Sequence, residues 1–284
     1  MVNKNYFLII KPKILIGNLI SILGGIFLSY NWTIKILLGS LLGIILIIAS
    51  SCIINNYIDL DIDSIMLRTN NRVLIKEFIF TKKAINYAYI LFVLGITILY
   101  KTTNILVTSL SLIGIVIYIL MYSLYYKRNS AYSTLIGSLS GSLPPIMGYC
   151  SISNNIDLAA IIIFLIHFLW QIPHSYSIAL LKKNEYMLAT IPIFPTSKGL
   201  LITKQHIIIY ILCFIFAEIM LFFNGFTGFM YLTSMTFSSI YWLIVSLLTY
   251  KSDRVEVLSN KIFLISIFII ICFNLMIFID VKQP

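Results

Sequence analysis

Long apolar stretches alternate with short polar segments along the whole chain. Nine stretches approach the roughly 20 residues that a helix needs to cross a bilayer. The predicted spans are 14–30, 36–55, 84–100, 104–124, 133–150, 158–180, 206–223, 229–249 and 261–279. Two of the intervening segments are long and polar, at 56–83 and 181–205. The pattern predicts an all-α polytopic membrane protein that forms a single domain over residues 1–284, with its chemistry beside the two long loops.

The composition agrees with a membrane protein, because 60% of the residues are hydrophobic and only 11% are charged. A soluble domain is about 25% charged. Of the 20 Lys and Arg residues, 17 fall on one set of loops and three on the other. Since cytoplasmic loops are enriched in these residues, the N-terminus and both long loops are predicted to face the cytoplasm. The net charge of +10 is therefore interpreted as a topology signal, and no nucleic-acid partner is expected.

The most informative polar pattern lies at the end of the second span, where Asn55, Asp59 and Asp63 follow one another at intervals of four. On a helix this spacing keeps side chains on one face. Neighbouring carboxylates repel each other unless a cation lies between them. Hard oxygen ligands suit Mg²⁺, which shares its coordination sphere with substrate phosphates. The alternative is a polar helix end with capping residues; Asp61 is expected to face away and to cap the helix or pair with a base.

Two arginines follow the acidic stripe, and they are one helical turn apart if the loop is helical. Arg68 and Arg72 would then present guanidinium forks, which bind phosphate oxygens in pairs. The alternative is that they serve only as topology signals. The Pro144-Pro145 pair interrupts the fifth predicted span. Such breaks are tolerated where the backbone lines a cavity, so this pair indicates a shaped cavity inside the bundle.

Three segments of the chain resemble a known family. Asn55-x3-Asp59-x3-Asp63 with Arg68-Thr69 resembles the first aspartate-rich motif of the UbiA superfamily of intramembrane prenyltransferases. The runs 141–149 and 169–176 are similar to the branch of that superfamily that farnesylates haem. The resemblance covers about residues 10–280. Glu185-Tyr186 stands where the branch usually has Asp-Tyr, and Leu60 stands at a commonly basic position.

The resemblance implies a UbiA-like helix bundle that transfers a farnesyl group from farnesyl diphosphate to a vinyl group of haem b, with addition of water. It further implies an enzyme of the bacterial inner membrane, in contact with lipid, and leaves open a role in terminal oxidase assembly. Mg²⁺ would be held by Asn55, Asp59, Asp63 and Glu185. The expected diphosphate contacts are Arg68, Arg72, Lys127 and either Lys182 or Lys183, and Arg128 is also expected to bind substrate. The aromatic rings expected to face the allylic cation are Tyr57, Trp170 and Tyr176, and His174 is expected to orient haem.

Three alternatives remain at this point. A prenyltransferase of the same superfamily could use another aromatic acceptor. A haem-binding electron-transfer protein would use His167 and His174 as axial ligands, but it would not need an acidic stripe beside two arginines. A secondary transporter would place its acidic residues near the bilayer midplane, whereas these lie at the rim.

Overall fold

The protein is an integral, multi-pass membrane protein built from helices, as predicted. The computed structural model describes residues 2–252 and 254–282, and there the regular structure is helical apart from one isolated bridge between Thr227 and Val281. The helices of the first half are α1 Val2–Ile9, α2 Pro12–Leu28, α3 Ile34–Ile58, α4 Leu60–Ile65, α5 Thr81–Thr102, α6 Ile105–Val116, a π-helix Ile117–Tyr126 and α7 Lys127–Asn129. Those of the second half are α8 Ser133–Gly141, α9 Leu143–Ser153, α10 Leu158–Leu181, α11 Lys183–Leu188, α12 Phe194–Ser197, α13 Leu200–Phe223, α14 Phe229–Lys251 and α15 Val255–Asp280.

Each predicted span coincides with a helix or with a pair of helices. Within the described residues, seven helical segments are long and apolar enough to cross a membrane. These are Ile34–Ile58, Thr81–Thr102, Ile105–Asn129, Leu158–Leu181, Leu200–Phe223, Phe229–Tyr250 and Val255–Asp280. The first predicted span is the shorter helix α2, and the fifth is divided between α8 and α9. The total of nine spans therefore stays a prediction.

The break in the fifth span lies at Ser142, and the second piece has Pro144 in its first turn. Proline is tolerated there because the first amides of a helix have no partner within it. The helix α9 is buried and packs against α2 at two glycines. A Cβ added to Gly25 would overlap the carbonyl of Pro145, and one added to Gly148 would overlap that of Ile22. Small residues let helix backbones approach closely in a membrane, so this pair fixes one wall of the bundle.

Polar residues mark where several membrane helices begin. The side chain of Asn104 accepts a hydrogen bond from the Val107 amide (2.9 Å), and that of Asp157 accepts one from the Ala160 amide (3.0 Å). Such caps satisfy amides that have no partner within the helix. Thr33 occupies the same position before α3. Because each cap fixes the residue at which its helix begins, it also fixes which residues lie at the opposite end of the helix, where the candidate site is.

The far end of α3 meets several other elements at one end of the bundle. The short helix α1 contacts it through Asn56, whose side-chain nitrogen donates to the Ile9 carbonyl (2.8 Å). The π-helix reaches it through Ser123, which hydrogen-bonds Asn55 (3.0 Å). Residues 66–80, between α4 and α5, form turns rather than a helix. The helical spacing expected for Arg68 and Arg72 is therefore wrong, although both side chains still reach the same place.

Candidate active site

The acidic stripe forms as predicted, although α3 is interrupted within it. Asp59 lies between α3 and α4 with φ −90° and ψ 11°. Two backbone hydrogen bonds nevertheless keep helical spacing across the interruption: Asp59 N to Asn55 O (3.0 Å) and Asp63 N to Asp59 O (2.8 Å). All three side chains of the stripe are buried, and Asp59 is only 1% exposed. The carboxylates of Asp59 and Asp63 are therefore shielded from solvent, and water does not stabilise their negative charges.

Each buried carboxylate is paired with a cation from another segment. The Lys127 ammonium lies 2.6 Å from Asp59 Oδ2, and Arg72 forms an ion pair with Asp63. Asn55 also donates to Asp59 Oδ2 (2.8 Å). The second oxygen of the carboxylate, Asp59 Oδ1, is buried and has no hydrogen-bond partner. Because buried polar atoms are almost always partnered, this free oxygen marks a place for a ligand.

A polar cavity of about 200 Å³ lies against the stripe, and it adjoins a larger cavity of about 420 Å³ that extends among the helices. Five residues line both: Arg68, Tyr118, Tyr122, Lys127 and Tyr186. The polar cavity is lined further by Asn55, Asp59, Asp63, Met66 and Arg72. The larger cavity has a mainly apolar lining contributed by α2, α3, α8, α9 and α10 among others. A charged pocket thus opens directly onto an apolar one.

Lys11 belongs to this site as well, although the sequence indicated only a topology signal. Its ammonium donates to Asn55 Oδ1 at 2.5 Å. Burial lowers the pKa of Lys11 to about 8, and the positive charge of Arg72 nearby acts in the same direction. The sequence signal for this role was the position of Lys11 directly before Pro12. This proline begins α2 next to the acidic stripe.

Asp61 and Arg128 pair with each other on the outside of the site. Arg128 donates two hydrogen bonds to the Asp61 carboxylate (2.6 and 2.7 Å) and one to the Ile58 carbonyl (2.7 Å). These bonds hold the pKa of Asp61 at about 2. The expectation that Asp61 faces away and pairs with a base is confirmed. Arg128, predicted to contact substrate, lines neither cavity and instead joins the ends of α3 and the π-helix.

Glu185 and Lys182 also differ from their predicted roles. Glu185 accepts a hydrogen bond from the Arg68 backbone amide (3.1 Å) and forms an ion pair with Lys182 (3.2 Å). Burial favours a higher pKa for Glu185, but these two contacts outweigh it and leave the pKa below its ordinary value. Glu185 lines neither cavity, and in residues 2–252 and 254–282 no group of three His, Cys, Asp or Glu side chains has metal-binding geometry. The structure therefore gives Glu185 the role of holding the Arg68 loop.

The three aromatic residues expected to face the allylic cation, and the histidine expected to orient haem, have other surroundings in the structure. Trp170 and His174 stack on each other (4.8 Å) and both bond Ser266 of α15, each at 2.7 Å. Tyr176 is fully buried and stacks on Phe194, and Tyr57 is exposed on the outer side of α3. None of the four lines either cavity. Their contacts with substrate therefore stay predictions.

The sixth predicted span does supply a second wall of the site, as α10, but through the face next to Trp170 and His174. Successive residues on a helix are rotated by about 100°, so Gln171 and Ser175 point into the larger cavity where Trp170 and His174 do not. Gln171 packs so closely against Gly141 that a Cβ there would overlap the Gln171 amide. Tyr118 and Tyr122 were also missed. Their spacing of four residues, just before Lys127, was the signal for a shared face.

The positions of His167 and His174 do not support the alternative in which they are axial ligands of a haem. His167 Nδ1 lies 2.9 Å from the Ile163 carbonyl of its own helix, and its ring packs edge-on against Phe273. His174 is engaged with Ser266. Both rings thus contact α15 or their own helix rather than a cavity.

The chain is similar to one family of membrane proteins over most of its length. The family model described as the UbiA prenyltransferase family matches residues 18–270. A protein of Photorhabdus laumondii named protoheme IX farnesyltransferase is 45% identical over 283 residues, covering 99% of this chain and 96% of that protein. A protein of the same name from Yersinia enterocolitica is 45% identical over 286 residues, covering 100% and 97%.

Solved structures share the fold at much lower identity. A structure of digeranylgeranylglyceryl phosphate synthase superposes with a TM-score of 0.79 at 17% identity, covering 98% of this chain and 99% of that one. A UbiA homolog from Archaeoglobus fulgidus bound to GPP and Mg²⁺ gives a TM-score of 0.66 at 13% identity, covering 96% and 99%. At these identities the likeness concerns the fold alone.

Proposed function

Since this chain belongs to the UbiA prenyltransferase family, we propose that it transfers the farnesyl group of farnesyl diphosphate to a vinyl group of haem b. Addition of water then gives the hydroxyethylfarnesyl side chain of haem o. The choice of haem as acceptor rests on the names of relatives that are 45% identical over nearly the full length. The observation that carries the chemistry is the pair of buried carboxylates, each matched with a cation, at the mouth of an apolar cavity.

The donor set of the polar cavity fits a hard divalent cation. Asp59 Oδ1 is buried without a partner, and Asp63 and the Asn55 amide oxygen lie on the same stripe. Carboxylate and amide oxygens are the ligand types that Mg²⁺ takes, together with substrate phosphates. Asn55, Asp59 and Asp63 would hold Mg²⁺, which when bound withdraws charge from the leaving diphosphate. Glu185 is left out of this set because it is bound to Arg68 and Lys182.

The cations of the site are placed to bind the diphosphate. Lys127 and Arg72 pair with the carboxylates, and Arg68 lines both cavities. Once the carboxylates bind a metal, Lys127 and Arg72 can turn to the phosphate oxygens without leaving a buried charge alone. Preorganised cations of this kind stabilise the charge that develops on a leaving group.

The larger cavity provides the apolar environment that an allylic cation requires. It receives the farnesyl chain and keeps bulk water from the reacting carbon. Tyr118, Tyr122 and Tyr186 lie at the junction of the two cavities, where aromatic faces can stabilise a cation. Gln171 and Ser175 are polar residues that line the larger cavity and not the polar one, and they are available to the acceptor.

The charge distribution supports a location of this reaction at the cytoplasmic face of the bacterial inner membrane. The 17 cations on one set of loops include those of the site, so the diphosphate pocket opens on the side where the positive-inside rule puts the cytoplasm. A link to terminal oxidase assembly is supported only by the product, since haem o would serve such an enzyme.

The test compares two aspartates of the same motif. We expect Asp59→Asn to lower haem o production by about a hundredfold or more, because it removes the carboxylate that meets the metal. Asp61→Asn is the matched control, since Asp61 is exposed and pairs with Arg128 outside the cavities. Haems are extracted from membranes that contain each variant and are separated by chromatography, with and without a chelator. Undiminished haem o in Asp59→Asn membranes would refute the proposal, and a prenylated product other than haem o would support the alternative acceptor.

A further inference from the structure

The segment that joins α1 to α2 is held against the active site in an unusual backbone conformation. Lys11 has φ 58° and ψ 67°, in the left-handed region. Residues other than glycine occupy this region only where their surroundings enforce it, and they cluster at functional sites. Pro12 follows directly and begins α2. From this segment the Lys11 side chain extends toward α3, where its ammonium reaches Asn55.

Two consecutive residues of α3 fix this segment in place. Asn56 donates to the Ile9 carbonyl (2.8 Å) and accepts from Arg72 (3.4 Å). Asn55 accepts from the Lys11 ammonium. The N-terminal segment is therefore tied directly to the residues that carry the acidic stripe, and Arg72, which pairs with Asp63, takes part in the same network.

The contacts with Lys11 and with Asp59 together determine which way the Asn55 amide faces. An ammonium can only donate hydrogen bonds, and a carboxylate can only accept them. The amide oxygen must therefore face Lys11, and the amide nitrogen must face Asp59 and Ser123, as the structure has them. The oxygen keeps a second lone pair for another partner. Without the ammonium, the orientation of the amide would rest on the two bonds of its nitrogen alone.

We infer that Lys11 is a positioning residue of the active site, which orients the Asn55 amide and adds a positive charge that favours binding of the diphosphate. The inference rests on the proposed metal and diphosphate chemistry of this site. Lys11 lines neither cavity, so it acts through Asn55 and through its charge. Lys13, two residues later, is exposed. The two lysines would contribute equally to membrane topology, but they differ in their relation to the site.

The experiment measures binding of inorganic diphosphate in the presence of Mg²⁺ to the purified full-length protein by calorimetry. We expect Lys11→Met to weaken binding by about fivefold to tenfold, as for loss of a nearby charge in a partly desolvated site. Lys13→Met should bind like the wild-type protein. Lys11→Arg keeps the charge and the donor, and it should recover most of the affinity. Thermal midpoints are measured for all variants, and Lys11→Gln replaces Lys11→Met if the latter does not fold.

Equal affinity of the Lys11→Met and Lys13→Met proteins would overturn the inference. So would an Lys11→Arg protein as weak as Lys11→Met, because the effect would then follow shape rather than charge. If the wild-type protein itself bound no diphosphate, the proposed function would fail together with the inference. If binding followed the expected order but membranes contained no haem o, Lys11 would keep its role and only the acceptor would be wrong.

Discussion

Replacing Lys127 by Met should destabilise the ligand-free protein more than its position near a loop suggests. The ammonium lies 2.6 Å from Asp59 Oδ2, with side-chain exposures of 15% for Lys127 and 1% for Asp59. Removing one partner of a buried ion pair costs about 3–5 kcal/mol, because the other charge is left uncompensated. Asp59 would keep its hydrogen bond from Asn55, so the lower end of that range applies. A loss of about 3 kcal/mol corresponds to a drop of roughly 5–10 °C in the thermal midpoint.

Mg²⁺ should reverse this loss, since a divalent cation at the free Asp59 oxygen would supply the charge that the ammonium no longer provides. The assay follows thermal unfolding of detergent-solubilised protein with and without millimolar Mg²⁺. The Lys127→Met protein should gain several degrees on addition of Mg²⁺. The double variant Lys127→Met/Asp59→Asn should regain stability without the metal and should not respond to it.

Lys182→Met provides the matched control, because its ion pair with Glu185 is considerably more exposed. Pairs of that kind contribute about 0–1 kcal/mol, so this variant should unfold close to the wild-type protein and should ignore Mg²⁺. The reasoning is refuted if Lys127→Met unfolds like the wild-type protein. It is also refuted if Mg²⁺ stabilises the double variant as much as the single one.

Two further predictions concern the larger cavity. Gly141→Val should lower the turnover of haem while leaving Mg²⁺-dependent diphosphate binding unchanged, because the new side chain would displace the Gln171 amide. Gly17→Ala is the control, since Gly17 has open space around it. Equal turnover of the two variants would contradict the assignment of Gln171 to the cavity wall. Gln171→Leu should raise the KM for haem without changing the thermal midpoint. His174→Phe should lower the thermal midpoint by a few degrees, because it loses the contact with Ser266, and should leave the KM for haem unchanged. The opposite pattern would indicate that the acceptor binds at the Trp170 face of α10.

The acidic stripe could be predicted from sequence because its geometry is local. The spacing of Asn55, Asp59 and Asp63 places them on one side of a helix whatever the rest of the chain does, and the structure keeps that spacing even across the interruption at Asp59. The pairing of Asp61 with a base followed from the same geometry. The long apolar runs likewise located the seven long apolar helices of the described residues, since burial in lipid demands such runs.

The second wall could not be predicted in the same way. Trp170 and Gln171 are one residue apart and differ by about 100° in direction. Choosing between them requires knowing that α15 covers the Trp170 face, and that packing depends on residues almost a hundred positions later. Lys11 was missed for a related reason: a lysine in an N-terminal loop is typical of a topology signal, and only its left-handed backbone turns it toward Asn55.

The π-helix at Ile117–Tyr126 sets the register of the most important cation. Its wider turn is visible in the bond from Ser123 Oγ to the Tyr118 carbonyl (2.8 Å), five residues back. Such a turn accommodates one residue more than an α-helix of the same length. Deletion of Leu120 would therefore tighten this turn to an α-helical one and leave Lys127 opposite Asp59. The wide turn thus absorbs an extra residue inside the membrane helix, and the ammonium keeps its place opposite the buried carboxylate.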